Sequence, residues 1–159
     1  MDELLNILRT DARAPVEQMA KRLAREPREV EAQIRQLEKE RVVLGYQAIL
    51  NPEKCEDGLV IGIVEVKLVP ERGRGFDAIA ERIYKFPEVK LCYLVSGNYD
   101  LLVILEGRSL KEVAAFVSQH LACLEHVSGT TTHFILKKYK DFGVIMHEAE
   151  QTERLAVSP

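Results

Sequence analysis

The chain has no tryptophan, and five phenylalanines and five tyrosines are all its aromatics in 159 residues. Its core must therefore be aliphatic. Cysteine is scarce too: Cys55, Cys92 and Cys123 form an odd, widely spaced set without C-x-x-C. Buried free thiols are expected, rather than disulfides or a zinc site. No apolar run approaches the roughly 18 residues of a membrane span, and no signal-peptide pattern is visible. A cytoplasmic protein without a membrane partner is expected. His120, His126, His133 and His147 are scattered, and His147-Glu148-Ala149-Glu150 is not H-E-x-x-H. With no Ser/His/Asp arrangement and no phosphate loop, the reading is of a non-enzyme with no catalytic residue, metal or cofactor. Charge of one sign is missing as well. The net charge is −3, and residues 1–50 hold nine Lys/Arg against nine Asp/Glu. That argues against a chain coated in nucleic acid.

What is present is a soluble globular composition, 47% apolar and 30% charged, long enough for one ordinary domain or two small ones. Leu4, Leu5, Ile7 and Leu8 have helical spacing, with Asp2 as a cap. Pro15 fits the first turn of a second helix with the stripe Val16, Met19, Ala20 and Leu23. Pro27 opens a third, with Val30, Ile34 and Leu37 inward and Arg28, Glu31, Ala32, Arg35, Gln36 and Lys39 outward. Only Ala24, Arg25 and Glu26 separate the last two helices. Three short helices with so tight a final turn predict a helix-turn-helix, against the plainer alternative of a small packing bundle. Val42–Leu50 has strand character suited to a wing, and residues 51–58 read as a linker.

The rest of the chain is organised around Val89–Glu106. Two short apolar runs, Val89–Val95 and Leu101–Leu105, flank the break Ser96-Gly97-Asn98-Tyr99-Asp100, which predicts a hairpin. Alternation puts Val89, Leu91, Tyr93 and Val95 on one face and Lys90, Cys92 and Leu94 on the other. Leu101, Val103 and Leu105 likewise oppose Leu102 and Ile104. Both faces are apolar, so the hairpin is expected to be central and covered on both sides. Leu59–Leu68 is a strand, and Pro70, Gly73 and Gly75 mark a loop. Phe76–Phe86 is a helix. Ser109–Glu112 is a capping box opening a helix with Leu110, Val113, Ala114, Val117 and Leu121 on one face. Val127–Tyr139 is a last strand. This βαββαβ order is ferredoxin-like: an antiparallel sheet with helices on one face. The other face, assigned Cys92, Leu94, Leu102 and Ile104, calls for a sheet-on-sheet dimer. The domains read as 1–50, 51–58 (linker), 59–146 and a tail, 147–159.

In this order and length, the α+β plan of a winged helix-turn-helix followed by a βαββαβ domain resembles the Lrp/AsnC (feast/famine) transcription regulators. Matching residues in the first domain are Asp11-Ala12-Arg13, Met19–Arg22, Ile34–Glu38 and Gly45–Pro52. In the second they are Val95–Asp100 and Val127-x-x-Thr130-x-Thr132. The resemblance implies a RAM/ACT-like effector domain, homodimers assembling to an octamer, and an amino-acid pocket between dimers. It also points out departures. Gly-Leu-Ser across the tight turn is here Ala24-Arg25-Glu26, a common Arg is Gln33, and the Gly before the wing is Arg41.

Two site hypotheses follow. Arg28, Arg35 and Gln36 are placed to read duplex DNA, with Lys39, Arg22 and Arg41 on its backbone; the plainer reading is a solvated helix face. Ser96, Gly97, Asn98, Tyr99 and Asp100, with Thr130 and Thr132, are placed around an amino-acid effector; the plainer reading is a good turn. Backbone N–H and hydroxyl groups suit a carboxylate, and Asp100 suits an ammonium. The tip carboxylate is expected to add little to the fold. The function implied is an effector-responsive DNA-binding regulator. The alternatives are a ligand-binding oligomer with weak or lost specific DNA binding, and an enzyme resembling the siroheme decarboxylases, which the aliphatic hairpin disfavours.

Overall fold

The computed structural model describes residues 3–52, 54–55, 58–69 and 75–146. Asp2, Pro70, Gly73, parts of the linker and the tail from His147 lie outside the described residues. Two compact units emerge, Met1–Ala48 and Ile49–Pro159.

The first unit holds α1 (Glu3–Thr10), α2 (Val16–Leu23) and α3 (Pro27–Lys39). Leu4, Ile7, Leu8, Met19, Ala20 and Val30 form its buried core, with Val16, Leu23, Ile34, Leu37 and Val43 packed around them. These are the apolar stripes read from the sequence. Pro27 occupies the first turn of α3, where its missing N–H has no intrahelical partner to lose. Both α2 and α3 end on a left-handed residue that is not glycine: Ala24 at φ 52° and Arg41 at φ 58°. Each end closes in the same way. Arg25 N donates to Ala20 O at 3.0 Å, and Val42 N donates to Leu37 O at 2.9 Å. This six-to-one bond is the Schellman closure that normally selects glycine.

Val42–Leu50 does not form a strand in the chain. It has no ladder partner among the described residues, and Leu44 is 77% exposed. β-Branched and apolar residues supply a strand's side chains, but a strand needs a neighbour for its backbone groups. Val42 and Val43 are held by Leu37 O, and the Tyr46 hydroxyl donates to Glu38 Oε1 at 3.0 Å; burial, then that carboxylate, push the phenol pKa up.

The second unit runs β1 (Val60–Leu68), α4 (Asp77–Tyr84), β2 (Val89–Leu94), β3 (Leu101–Gly107), α5 (Leu110–Phe116, continuing as a π-helical turn Val117–Leu121) and β4 (Val127–Phe134). A two-residue hairpin follows, β5 (Lys140–Asp141) and β6 (Val144–Ile145). The main sheet has the order β2-β3-β1-β4, antiparallel throughout. One face buries Val64, Val66, Leu68, Leu101, Val103 and Leu105 against Ile79, Ile83, Val113, Phe116, Val117 and Leu121 of the helices. Glu112 N donates to Ser109 Oγ at 3.1 Å, completing the predicted cap, while the Glu112 carboxylate reaches back to Arg108 N.

Four expectations are corrected. The hairpin is not central as a unit: β3 lies inside the sheet and β2 is its edge. The last strand stops at Phe134, opposite Gly62; one further bond runs from Ile135 N to Ile61 O, and Tyr139 O instead accepts from Met146 N beside the β5–β6 hairpin. On α5, Leu110 and Ala114 are exposed and Phe116 is buried. Phe116 packs edge-on against Phe86, with ring centroids 5.2 Å apart. Finally, Cys123 is exposed, and Cys55 and Cys92 are only partly buried.

Candidate functional site

All six cations and amides proposed for DNA contact, Arg22, Arg28, Arg35, Gln36, Lys39 and Arg41, are exposed. The helix period turns Arg28, Arg35 and Lys39 away from the Val30–Ile34–Leu37 stripe that docks α3. Two of the six are engaged with carboxylates one turn away. Arg35 pairs with Glu31, and the Gln36 amide donates to Glu40. Those bonds compete with any base contact. The capping position of α3 is held by Glu26, whose side chain makes no cap hydrogen bond. Sequence reasoning missed Arg25. Its guanidinium donates to Gln33 Oε1 at 2.7 Å, at the position where an arginine was expected by resemblance. The eight-residue spacing says nothing about that contact until the turn is folded.

At the hairpin tip, Ser96, Gly97 and Asn98 are exposed, while Tyr99 and Asp100 are half-buried. Gly97 has φ +151° with nothing near a would-be Cβ, so glycine is required there by the backbone and not by crowding. Asp100 is not a bystander to the fold. Its Oδ2 accepts from Leu68 N at 2.7 Å, its own N donates to Val66 O at 3.0 Å, and its O accepts from Val95 N at 2.9 Å. The expectation of little structural contribution is overturned, because this carboxylate satisfies β1 where its pairing with β4 slips, between Lys67 and Leu68. Among the described residues, Oδ1 accepts no hydrogen bond.

Thr130 and Thr132 lie on β4 opposite Val66 and Val64, on the helix-facing side; Thr131, opposite Glu65, lies on the other. Asp100 and Thr130 flank Val66 on either side, two strand spacings or roughly 10 Å apart. One subunit therefore does not bring the tip and these threonines onto a single small ligand.

The interface set divides. Val89 pairs with Leu105 and Leu91 with Ile104, so a bulge at Lys90 shifts the register by one residue. Every later β2 side chain changes face relative to simple alternation. Cys92 and Leu94, opposite Val103 and Leu101, face the helix side; Leu91 and Tyr93 join Ile104 and Leu102 on the open side. Burial pushes the Cys92 thiol pKa up, as its core-side position requires. Ile61 and Ile63 of β1 extend the open apolar face, with Glu65 and His133 paired at 3.5 Å beside them.

Residues 61–145, more than half of the chain, match the family model described as the Lrp/AsnC ligand binding domain. Along 159 aligned residues the chain is 45% identical to the "Uncharacterized HTH-type transcriptional regulator YugG" of Bacillus subtilis, covering 99% of this chain and 95% of that one. The chain belongs to the Lrp/AsnC family. It is a transcriptional regulator with a helix-turn-helix unit and a ligand-binding unit. The leucine-responsive regulatory protein of Escherichia coli is 27% identical over 154 residues, 97% of this chain and 87% of that protein. Among solved structures, a transcriptional regulator of Neisseria meningitidis in complex with L-Met superposes with a TM-score of 0.70 at 25% identity, covering 89% of this chain and 93% of that one. Among the described residues no helix is long and apolar enough to cross a membrane.

Proposed function

We propose that this Lrp/AsnC regulator binds a free amino acid at the Ser96–Asp100 tip, between dimers, and that binding shifts its assembly or its affinity for duplex DNA. The observation that carries the reading is the fixed carboxylate at the tip. Asp100 is oriented by Leu68 N through Oδ2, and Oδ1 stays open to an ammonium. Thr130 and Thr132 of an adjacent subunit supply hydroxyls for the ligand carboxylate, since those of the same subunit lie too far away. The solved Neisseria relative holding L-Met supports an amino acid as the chemical class. A second copy of the chain covers Leu91, Tyr93, Leu102, Ile104, Ile61 and Ile63, because an apolar face of this size is rarely left to water. The octamer rests on the family resemblance. A ligand shifts assembly only through different affinities for the two states.

A second reading, an oligomer with weak specific DNA binding, is favoured by Glu31 on Arg35 and Glu40 on Gln36. A DNA-shift titration with and without pooled amino acids separates the two. Calorimetry of each common amino acid against wild type, Asp100→Asn and Asp100→Ala tests the site. Saturable binding weakened in both variants is expected; binding unchanged in both moves the site elsewhere. Asp100→Ala also loses a charge-assisted, half-buried hydrogen bond, about 1.5–2 kcal/mol, whereas Asp100→Asn keeps an acceptor. The Asn variant therefore separates ligand loss from fold loss.

A further inference from the structure

We infer that Arg25, held in place by Gln33, is a phosphate-contacting residue of the DNA interface, with Gln33 as its positioning residue. The inference rests on the DNA-binding reading of this unit and adds to it a residue from the turn.

Arg25 sits between α2 and α3. The left-handed Ala24 before it, at φ 52° and ψ 46°, turns the chain so that Arg25 N closes α2 on Ala20 O at 3.0 Å. Its side chain then runs alongside α3 and donates to Gln33 Oε1 at 2.7 Å. That partner is neutral, so the positive charge is not cancelled. Arg35, on α3 itself, is already paired with Glu31. A guanidinium has five N–H donors, and the side chain is exposed. Donors remain for a phosphate without any carboxylate having to be displaced. The location suits that contact. Arg25 precedes the N-cap of α3, and its guanidinium rests on Gln33 in the middle of that helix, the one a helix-turn-helix presents to DNA. Glu17, Glu26 and Glu29 line the same shallow groove as Lys21 and Arg25. A phosphate approaching this groove meets three glutamates, and Arg25 and Lys21 are the cations that offset them.

The test uses the full chain with two duplexes, one enriched by wild type from a randomised pool and one scrambled. Removing one phosphate contact lowers the salt slope, log K against log [salt], by about 0.9, which is roughly an eightfold affinity loss at 0.1 M salt relative to 1 M. Arg25→Ala should show this on both duplexes with an unchanged melting temperature, because the bond it loses is exposed. Arg25→Lys should keep the slope. Gln33→Ala should lose part of it, and Arg25→Ala combined with Gln33→Arg should recover it, since a guanidinium then starts from the same place. An unchanged slope in Arg25→Ala, with Lys39→Ala still lowering it, overturns the inference and leaves the DNA reading intact. A lost affinity accompanied by a lower melting temperature and an unchanged slope makes Arg25 structural and also overturns it. If wild type enriches no duplex, both fall.

Discussion

Ala24→Gly and Arg41→Gly should each stabilise the first unit, although each removes a side chain. Both positions are left-handed, at φ 52° and 58°, and both sit at the same place in a Schellman closure. A non-glycine residue there carries about 1–2 kcal/mol of steric cost. Glycine removes that cost but gains freedom in the unfolded chain, about 0.4–1 kcal/mol against the substitution. The net is a stabilisation of about 0.5–1 kcal/mol at each site. The two turns close different helices, so the effects should add to roughly 1–2 kcal/mol. Native-state hydrogen exchange reads this within the full chain, because the slowest amides of α3, such as Val30 and Ile34, report opening of the first unit. Exchange should slow by roughly two- to fivefold in each single variant, and by the product of the two in the double. Ala24→Val should do the reverse, since a β-branched residue tolerates positive φ poorly. Faster exchange in either glycine variant would refute the reasoning. Arg41→Gly also removes a cation proposed for the DNA backbone, so it should bind duplex less tightly while being more stable.

Gly107→Ala should destabilise the second unit by about 1–3 kcal/mol, because a Cβ there would lie 2.8 Å from Val113 Cγ2. Adding Val113→Ala should recover part of that loss in a thermal melt, and no recovery would show that crowding was not the cause. Leu102→Lys and Ile104→Lys should dissociate the oligomer in light scattering, because each puts a charge on the open face. Leu94→Lys, on the helix side and already 60% exposed, should leave it assembled; dissociation by Leu94→Lys alone would contradict the register. Cys123 should alkylate before Cys92 at pH 8, since burial raises the Cys92 pKa and keeps its thiolate fraction low. The Cys92 rate should climb at higher pH than that of an exposed thiol, and equal rates would place Cys92 in water.

The sequence alone determined what depends on local chemistry. Val30, Ile34 and Leu37 dock α3 because a helical period leaves them on one side, and Pro27 and Ser109 start helices for reasons internal to their own turns. The βαββαβ order followed from where the period changes from helix to strand, and the tip residues Ser96–Asp100 from turn chemistry between two apolar runs. What required tertiary structure was whatever depends on a partner far along the chain. Lys90 gives no local sign of a bulge, yet that one extra residue moved Cys92 and Leu94 to the helix side and Leu91 and Tyr93 to the open one. Asp100 looked like a loop carboxylate until Leu68, thirty-two residues earlier, was brought to it. Val42–Leu50 has a strand's apolar, β-branched character without a strand's neighbour. Periodicity reports which side chains seek burial, whereas register and backbone pairing are settled only when a second segment arrives.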